Sequence, residues 1–154
     1  MDLASYLRPE LVLVLDEPLS RDELFDVISR HVDELIPSLD GSALKQQLIH
    51  REAQGPTSTP DGVAFPHAMS EKIARTLIIA VLLREPVDFG NADHPPSDLI
   101  FCMFGSTESP WEHVRLLARL ARLVHTEDAQ QRLRSSADPR ALHDALLEED
   151  RSHA

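Results

Sequence analysis

Apolar residues fall along this chain in two kinds of run, and the difference separates strands from helices. Leu11-Val12-Leu13-Val14-Leu15 is short, partly β-branched and closed by Asp16-Glu17-Pro18, which predicts a strand ending in a turn. Leu24, Phe25, Ile28, Val32 and Leu35 recur at helical spacing behind Ser20 and Glu23, a capping-box pair, so a long helix is expected next. Asp40, Gly41 and Ser42 separate it from a second helix carrying Leu44, Leu48 and Ile49 and ending by Gly55. Pro56 to Asp61 reads as a turn-rich loop in which Pro60 offers no N–H. Gly62-Val63-Ala64-Phe65-Pro66-His67 then predicts a short apolar strand with His67 at its end. Pro66 fixes its own φ and pushes Phe65 toward an extended conformation, so His67 leaves in a defined direction.

After a polar stretch from Ser70 to Arg75, the runs from Thr76 to Leu83 and from Leu99 to Phe104 are apolar without alternation. Runs of that kind belong to central strands covered on both faces. Phe89 to Pro96 between them reads as a surface connection. Ser109, Pro110 and Glu112 supply an N-cap, a first helical residue and a capping-box acid for a helix running to about Val124, with His113 in its first turn. Thr126 and Asp138-Pro139 open two further helices, the last holding Leu142, Ala145, Leu146 and Leu147. Helices interleaved with buried strands predict the α/β class.

The 154 residues and 42% apolar content suit one domain, 1–154, with its core at about 3–149. Against 26 Asp and Glu the chain sets 15 Lys and Arg, a net charge of -11. That balance disfavours a nucleic-acid backbone or an anionic membrane, and it favours either a partner with a basic face or solubility alone. Cys102, inside Leu99 to Phe104, has no second cysteine to pair with and reads as a small buried hydrophobe. No apolar run approaches the roughly 20 residues that span a bilayer, and no secretory leader pattern begins the chain, so a soluble cytoplasmic protein is expected.

His67 is the leading chemical candidate. An imidazole accepts a phosphoryl group on one nitrogen when a hydrogen bond holds the other. Arg51 offers a guanidinium fork to phosphate oxygens, and His113 brings an imidazole beside the open N–H groups of a helix N-terminus. Each also has a plainer reading: a structural histidine, a solvated helix-end arginine, and an exposed first-turn histidine. His31, His50, His94, His125, His143 and His153 show no spacing that suggests a role. A zinc site from His67, His94 and His113 is disfavoured, since neither Cys pairs nor a His-Glu-x-x-His helix occurs. The five glycines form no phosphate-binding loop and no Gly-x-Ser-x-Gly elbow is present, so neither cofactor nor metal is expected.

In order, Leu7-Arg8-Pro9-Glu10-Leu11-Val12, Arg51-Glu52-Ala53-Gln54-Gly55, Gly62 to His67, Pro86-Val87-Asp88-Phe89-Gly90 and His113 to Ala121 resemble the enzyme IIA domain of the bacterial phosphotransferase system. The class is that of the fructose, mannitol and nitrogen-regulatory domains, and the resemblance covers nearly the whole chain. It implies a mixed sheet flanked by helices on both faces and a phosphohistidine at His67. His113 looks like the family's second active-site histidine, and Arg51 like the arginine near the phosphorylated ring. The implied donor is HPr or its nitrogen-branch relative. The implied roles are a phosphoryl carrier with a regulatory function, a sugar-transport component feeding a separate IIB domain, or a regulatory binding module that has lost transfer. Family members commonly carry glycine where this chain has Ser58, Pro60 and Ala68, and glycine admits backbone conformations that these residues resist.

Overall fold

Two central strands organise the molecule, because their side chains alternate into two separate apolar clusters. In the computed structural model, which describes residues 2–153, β4 (Leu77–Val87) and β5 (Ser97–Ser106) run antiparallel, with Ile78 opposite Met103 and Leu82 opposite Leu99. Here β1 is Val12–Leu15, β2 is Val63–Ala64 and β3 is His67–Ser70. Ile79, Val81, Leu83, Ile100, Cys102 and Phe104 enter one cluster, while Ile78, Ala80, Leu82, Leu99, Phe101 and Met103 enter the other. Each strand alternates with period two, but both faces are buried, so the runs look uniformly apolar in sequence.

β1 adds in parallel to β4, and both β2 and β3 add in parallel to β5. The sheet is therefore mixed, in the order β1-β4-β5-β2 with β3 also on β5. α1 (Arg21–Leu35) and α2 (Gly41–Ala53) bury Leu24, Phe25, Ile28, Val32, Leu44 and Leu48 in the first cluster. α3 (Pro110–Leu123), α4 (Glu127–Arg134) and α5 (Pro139–Ser152) bury Leu116, Leu120, Leu123, Leu133, Leu142 and Leu146 in the second. The expected mixed α/β architecture, with helices on both faces, is present. Each such leucine contributes about 1.5–3 kcal/mol by leaving water. No helix among the described residues is long and apolar enough to cross a membrane.

The capping box at Ser20 and Glu23 forms as expected, each side chain serving the other's backbone N–H. The Asp40-Gly41 separator works differently from a simple break. Asp40, at φ 53°, is itself the N-cap of α2, and Gly41 is the first helical residue. A Cβ on Gly41 would stand 2.7 Å from the Ser29 carbonyl oxygen and 2.9 Å from Asp33 Cβ, so glycine sets how closely α1 and α2 approach.

Two expectations need correction. The predicted strand from Gly62 to His67 is broken in two, and His67 opens β3 rather than ending a strand. Pro66 has no N–H to give the ladder, although its carbonyl still accepts from Met103 N–H at 3.0 Å. Ser109 does not form a capping box either: its side chain makes no cap bond, and Glu112 turns inward to 7% exposure.

Candidate active site

β3 and the two helices flanking it bring His67, Arg51 and His113 together. His67 begins β3 opposite Met103 of β5, Arg51 lies in the last turn of α2, and His113 lies in the first turn of α3. The two imidazole rings are 4.9 Å apart between centroids and tilted by 55°. Arg51 donates from Nε to His67 Nε2 at 3.2 Å and from Nη1 to the Gly55 carbonyl at 2.8 Å. On its other side, His67 Nδ1 lies 3.2 Å from the Phe65 carbonyl. A carbonyl only accepts, so Nδ1 carries the proton and Nε2 the lone pair, which matches the donor it receives from Arg51.

The Phe65-Pro66 break sets that tautomer. Phe65 is held by its own N–H donating to Thr57 at 3.0 Å and by stacking on Phe101 at 5.8 Å, which leaves its carbonyl turned to the His67 ring. Thr57 in turn donates both its N–H, at 2.9 Å, and its hydroxyl to the buried carboxylate of Glu52, beside Arg51 in α2. Glu52 thus ties the end of α2 to the segment that aims His67.

His113 is buried to 7% exposure, and its Nδ1 has no hydrogen-bond partner among the described residues. Burial, and secondarily the neighbouring His67, lower its pKa from 6.5 to about 4, so the ring is neutral near pH 7. A bare ring nitrogen is cheaper to bury unpartnered than an N–H, which places the proton on Nε2. Glu112, one residue earlier, accepts from the Thr76 N–H at 2.7 Å and from the Tyr6 hydroxyl at 2.9 Å. Burial alone raises its pKa, but these donors and the Arg75 charge outweigh that and leave it lowered, hence ionised. The same hydrogen bond raises the pKa of Tyr6.

A cleft of about 460 Å³ opens over His67, lined by Gln46, Gln47, His50, Arg51, Ala68 and Met69. A larger hollow, about 560 Å³, lies between the end of α2 and the 89–92 loop, but the charged groups in it are Arg21 and Glu52, and Glu52 is already engaged by Thr57. His94 does not join the histidine pair; its Nδ1 meets Ser58 Oγ at 3.1 Å and Asn91 Nδ2 at 2.9 Å. The three residues at which family glycines are common fit without strain. Asp40 is the non-glycine residue with positive φ among those described, so Ser58, Pro60 and Ala68 keep ordinary backbone conformations.

Sequence reasoning named the three ring and guanidinium groups but missed Phe65 O, Glu52, Thr57, Tyr6 and Glu112. A carbonyl carries no residue-type signal, and a carboxylate spent on a distant N–H looks like any surface acid until the chain is folded.

The fold is that of a phosphotransferase-system IIA domain. The sequence model described as phosphoenolpyruvate-dependent sugar phosphotransferase system, EIIA 2, matches residues 5–149, and the chain belongs to that family. It is similar to a nitrogen regulatory protein of Bradyrhizobium diazoefficiens, with 29% identity over 95% of each chain. Its fold is similar to the crystal structure of nitrogen regulatory protein IIA-Ntr from Neisseria meningitidis, at a TM-score of 0.83 and 25% identity, covering 94% of this chain and 98% of that one. Enzyme IIA-mannitol of Escherichia coli, solved in complex with phosphorylated enzyme IIB-mannitol, shares the fold at a TM-score of 0.75 and 16% identity, covering 92% of this chain and 97% of that one.

Proposed function

We propose that this protein is a phosphohistidine carrier: His67 Nε2 accepts a phosphoryl group from an HPr-type carrier protein, and the loaded state has a regulatory role. One observation carries the reading: the Nε2 lone pair of His67 is exposed at a cleft and faced by a guanidinium, while the opposite nitrogen is tied to the Phe65 carbonyl. The Nε2 pair attacks phosphorus as the bond to the donor's imidazole nitrogen breaks, and that bond's electron pair returns to the donor ring. Positive charge arising on the His67 ring concentrates at Nδ1–H, where the Phe65 carbonyl accepts it. Arg51 turns its N–H groups from the ring nitrogen to the phosphoryl oxygens. His113, neutral with its proton on Nε2, offers a further donor without adding a charge that would trap the group.

Similarity to nitrogen regulatory proteins over 95% of each chain supports regulation ahead of sugar transport through a IIB domain. The decisive experiment incubates the protein with phosphoenolpyruvate, enzyme I and HPr, and weighs the intact product. Wild type gains one acid-labile phosphoryl group and His67→Ala gains none. Stoichiometric loading of His67→Ala would reject the assignment. Loaded wild type that passes its group only to a IIB protein and onward to sugar would replace regulation by transport.

A further inference from the structure

The alternation of β3 places Met69 on the same side as His67, while Ala68 between them enters the first apolar cluster. Met69 pairs with Gly105 of β5, which has no side chain, so the thioether lies over bare backbone. A Cβ on Gly105 would stand 2.7 Å from Met69 Sδ, 3.0 Å from its Cε and 3.1 Å from His113 Nδ1. The thioether and the unpartnered nitrogen of His113 therefore border the same small space.

Of the two methionines among the described residues, Met69 is the one that solvent reaches. It is half-buried, and it lines both the cleft over His67 and a neighbouring hollow of about 480 Å³ beside Leu39, Leu44 and Lys72. Met103 is 1% exposed inside the second apolar cluster. Cys102 is buried, and burial pushes its thiol pKa up, so no thiolate competes for an oxidant. A polarizable thioether open to the cleft is thus the oxidisable sulfur beside the candidate site.

We infer that Met69 is an oxidation switch on the phosphoryl site: a hydroperoxide converts it to the sulfoxide, and the new oxygen withdraws the donor that His113 offers to a phosphoryl group on His67. The inference rests on the carrier reading above. The sulfur lone pair attacks the outer peroxide oxygen, and the O–O bond breaks as the S–O bond forms. The other oxygen leaves as water or an alcohol, carrying the proton of the transferred oxygen; sulfur gives up two electrons and the peroxide takes them. A sulfoxide oxygen is a strong acceptor where the thioether sulfur is a weak one. Facing the bare Nδ1 of His113, it sets acceptor against acceptor. The ring relieves this by carrying its proton on Nδ1 and donating it to the sulfoxide, which leaves Nε2 a lone pair with nothing to offer phosphoryl oxygens. A thiol-dependent reductase reverses the change, removing the oxygen as water while two thiols become a disulfide.

The test treats the protein with hydrogen peroxide, removes the excess, maps the product by peptide mass and loads it with phosphoenolpyruvate, enzyme I and HPr. Met69→Leu is treated alongside, and each loading rate is compared with that of the same protein before treatment. Met69 is expected to gain oxygen well before Met103, and treated wild type to stay folded by circular dichroism. Its loading should slow by about 10- to 100-fold, the effect of one lost donor to a developing anion. Methionine sulfoxide reductase with dithiothreitol should restore the rate, and treated Met69→Leu should lose none of its own. NMR of protein with labelled histidine, read without any carrier, should show the His113 proton moving from Nε2 to Nδ1 on oxidation. An unchanged rate or an unchanged His113 ring at full Met69 oxidation overturns the inference. So does an equal loss in Met69→Leu, a Met69 that resists peroxide as long as Met103, or a chain that unfolds on treatment. Untreated protein that never loads, but whose His113 ring still responds to oxidation, rejects the carrier reading and leaves the switch standing.

Discussion

Tyr6 donates its hydroxyl to Glu112 at 2.9 Å across 106 positions of sequence, and so ties the N-terminal segment to the first turn of α3. The same carboxylate accepts the Thr76 N–H just before β4, and Arg75 lies 4.0 Å from the Tyr6 ring centroid. Three segments therefore meet one residue away from His113. Removing the carboxylate leaves the Thr76 N–H buried and unpaired, which is the costly way to lose a hydrogen bond. Glu112→Ala is expected to lose about 2–3 kcal/mol, and Tyr6→Phe about 1 kcal/mol, because the carboxylate keeps its second donor. Urea unfolding of both variants checks the order; equal losses would show that the Thr76 contact contributes nothing.

His113 makes the fold acid-sensitive in a defined window. Its pKa is about 4 in the folded protein against 6.5 in the open chain. Above pH 6.5 the ring is neutral in both states and the stability is fully present. As pH falls from 6.5 to about 4 the unfolded chain takes up a proton that the native ring refuses, so stability is lost, and below about 4 the loss stops. The measurement is the unfolding free energy of wild type minus that of His113→Gln at steps from pH 7 to 4. The difference should fall steadily toward acid; a flat difference would show an unperturbed ring.

Gly105 leaves the space in which His113 and Met69 both sit. A Cβ there would stand 2.7 Å from Met69 Sδ and 3.1 Å from His113 Nδ1. The thioether end can move, but the ring lies on a helix start fixed by Glu112. Gly105→Ala is expected to cost about 1–3 kcal/mol and to slow phosphoryl loading, and Met69→Ala in the same chain should recover part of the stability. A double-mutant cycle across the two positions reads the coupling, and additive effects would place the clash elsewhere.

Arg51 spans from the His67 ring to the Gly55 carbonyl with two different nitrogens. A lysine ammonium is a single point and cannot hold both. Loading from the carrier should fall by about 100-fold in Arg51→Ala and recover only in part in Arg51→Lys. Rapid-quench measurement of phosphoryl gain decides this. A lysine variant at wild-type rate would mean that charge alone, not the fork, assists His67.

Much of the fold was legible because it depends on local pattern. The helical spacing of Leu24, Phe25, Ile28 and Val32, the reciprocal cap of Ser20 and Glu23, and the unbroken apolar runs at 76–83 and 99–104 each specify an element without reference to distant residues. The candidate residues were legible for a similar reason: His67 follows a proline, and Arg51 and His113 sit at the two helix ends that flank it. The strand through Phe65 and Pro66 misled, because whether a proline merely bends a strand or divides it depends on how the neighbouring strand is paired.

Sequence by itself determined the mixture of helices and strands and the two-faced burial of the central strands, and it offered His67, Arg51 and His113 as candidates. These follow from side-chain periodicity and from the fixed φ of proline, which act over a few residues. Only the tertiary structure decided that the expected capping acid Glu112 is a buried acceptor for Tyr6 and Thr76, and that the Phe65 carbonyl sets the His67 tautomer. The reason is physical: a carboxylate, a carbonyl or a guanidinium bonds to whatever partner the fold delivers, and partners 106 positions away are invisible until β4 and β5 pair.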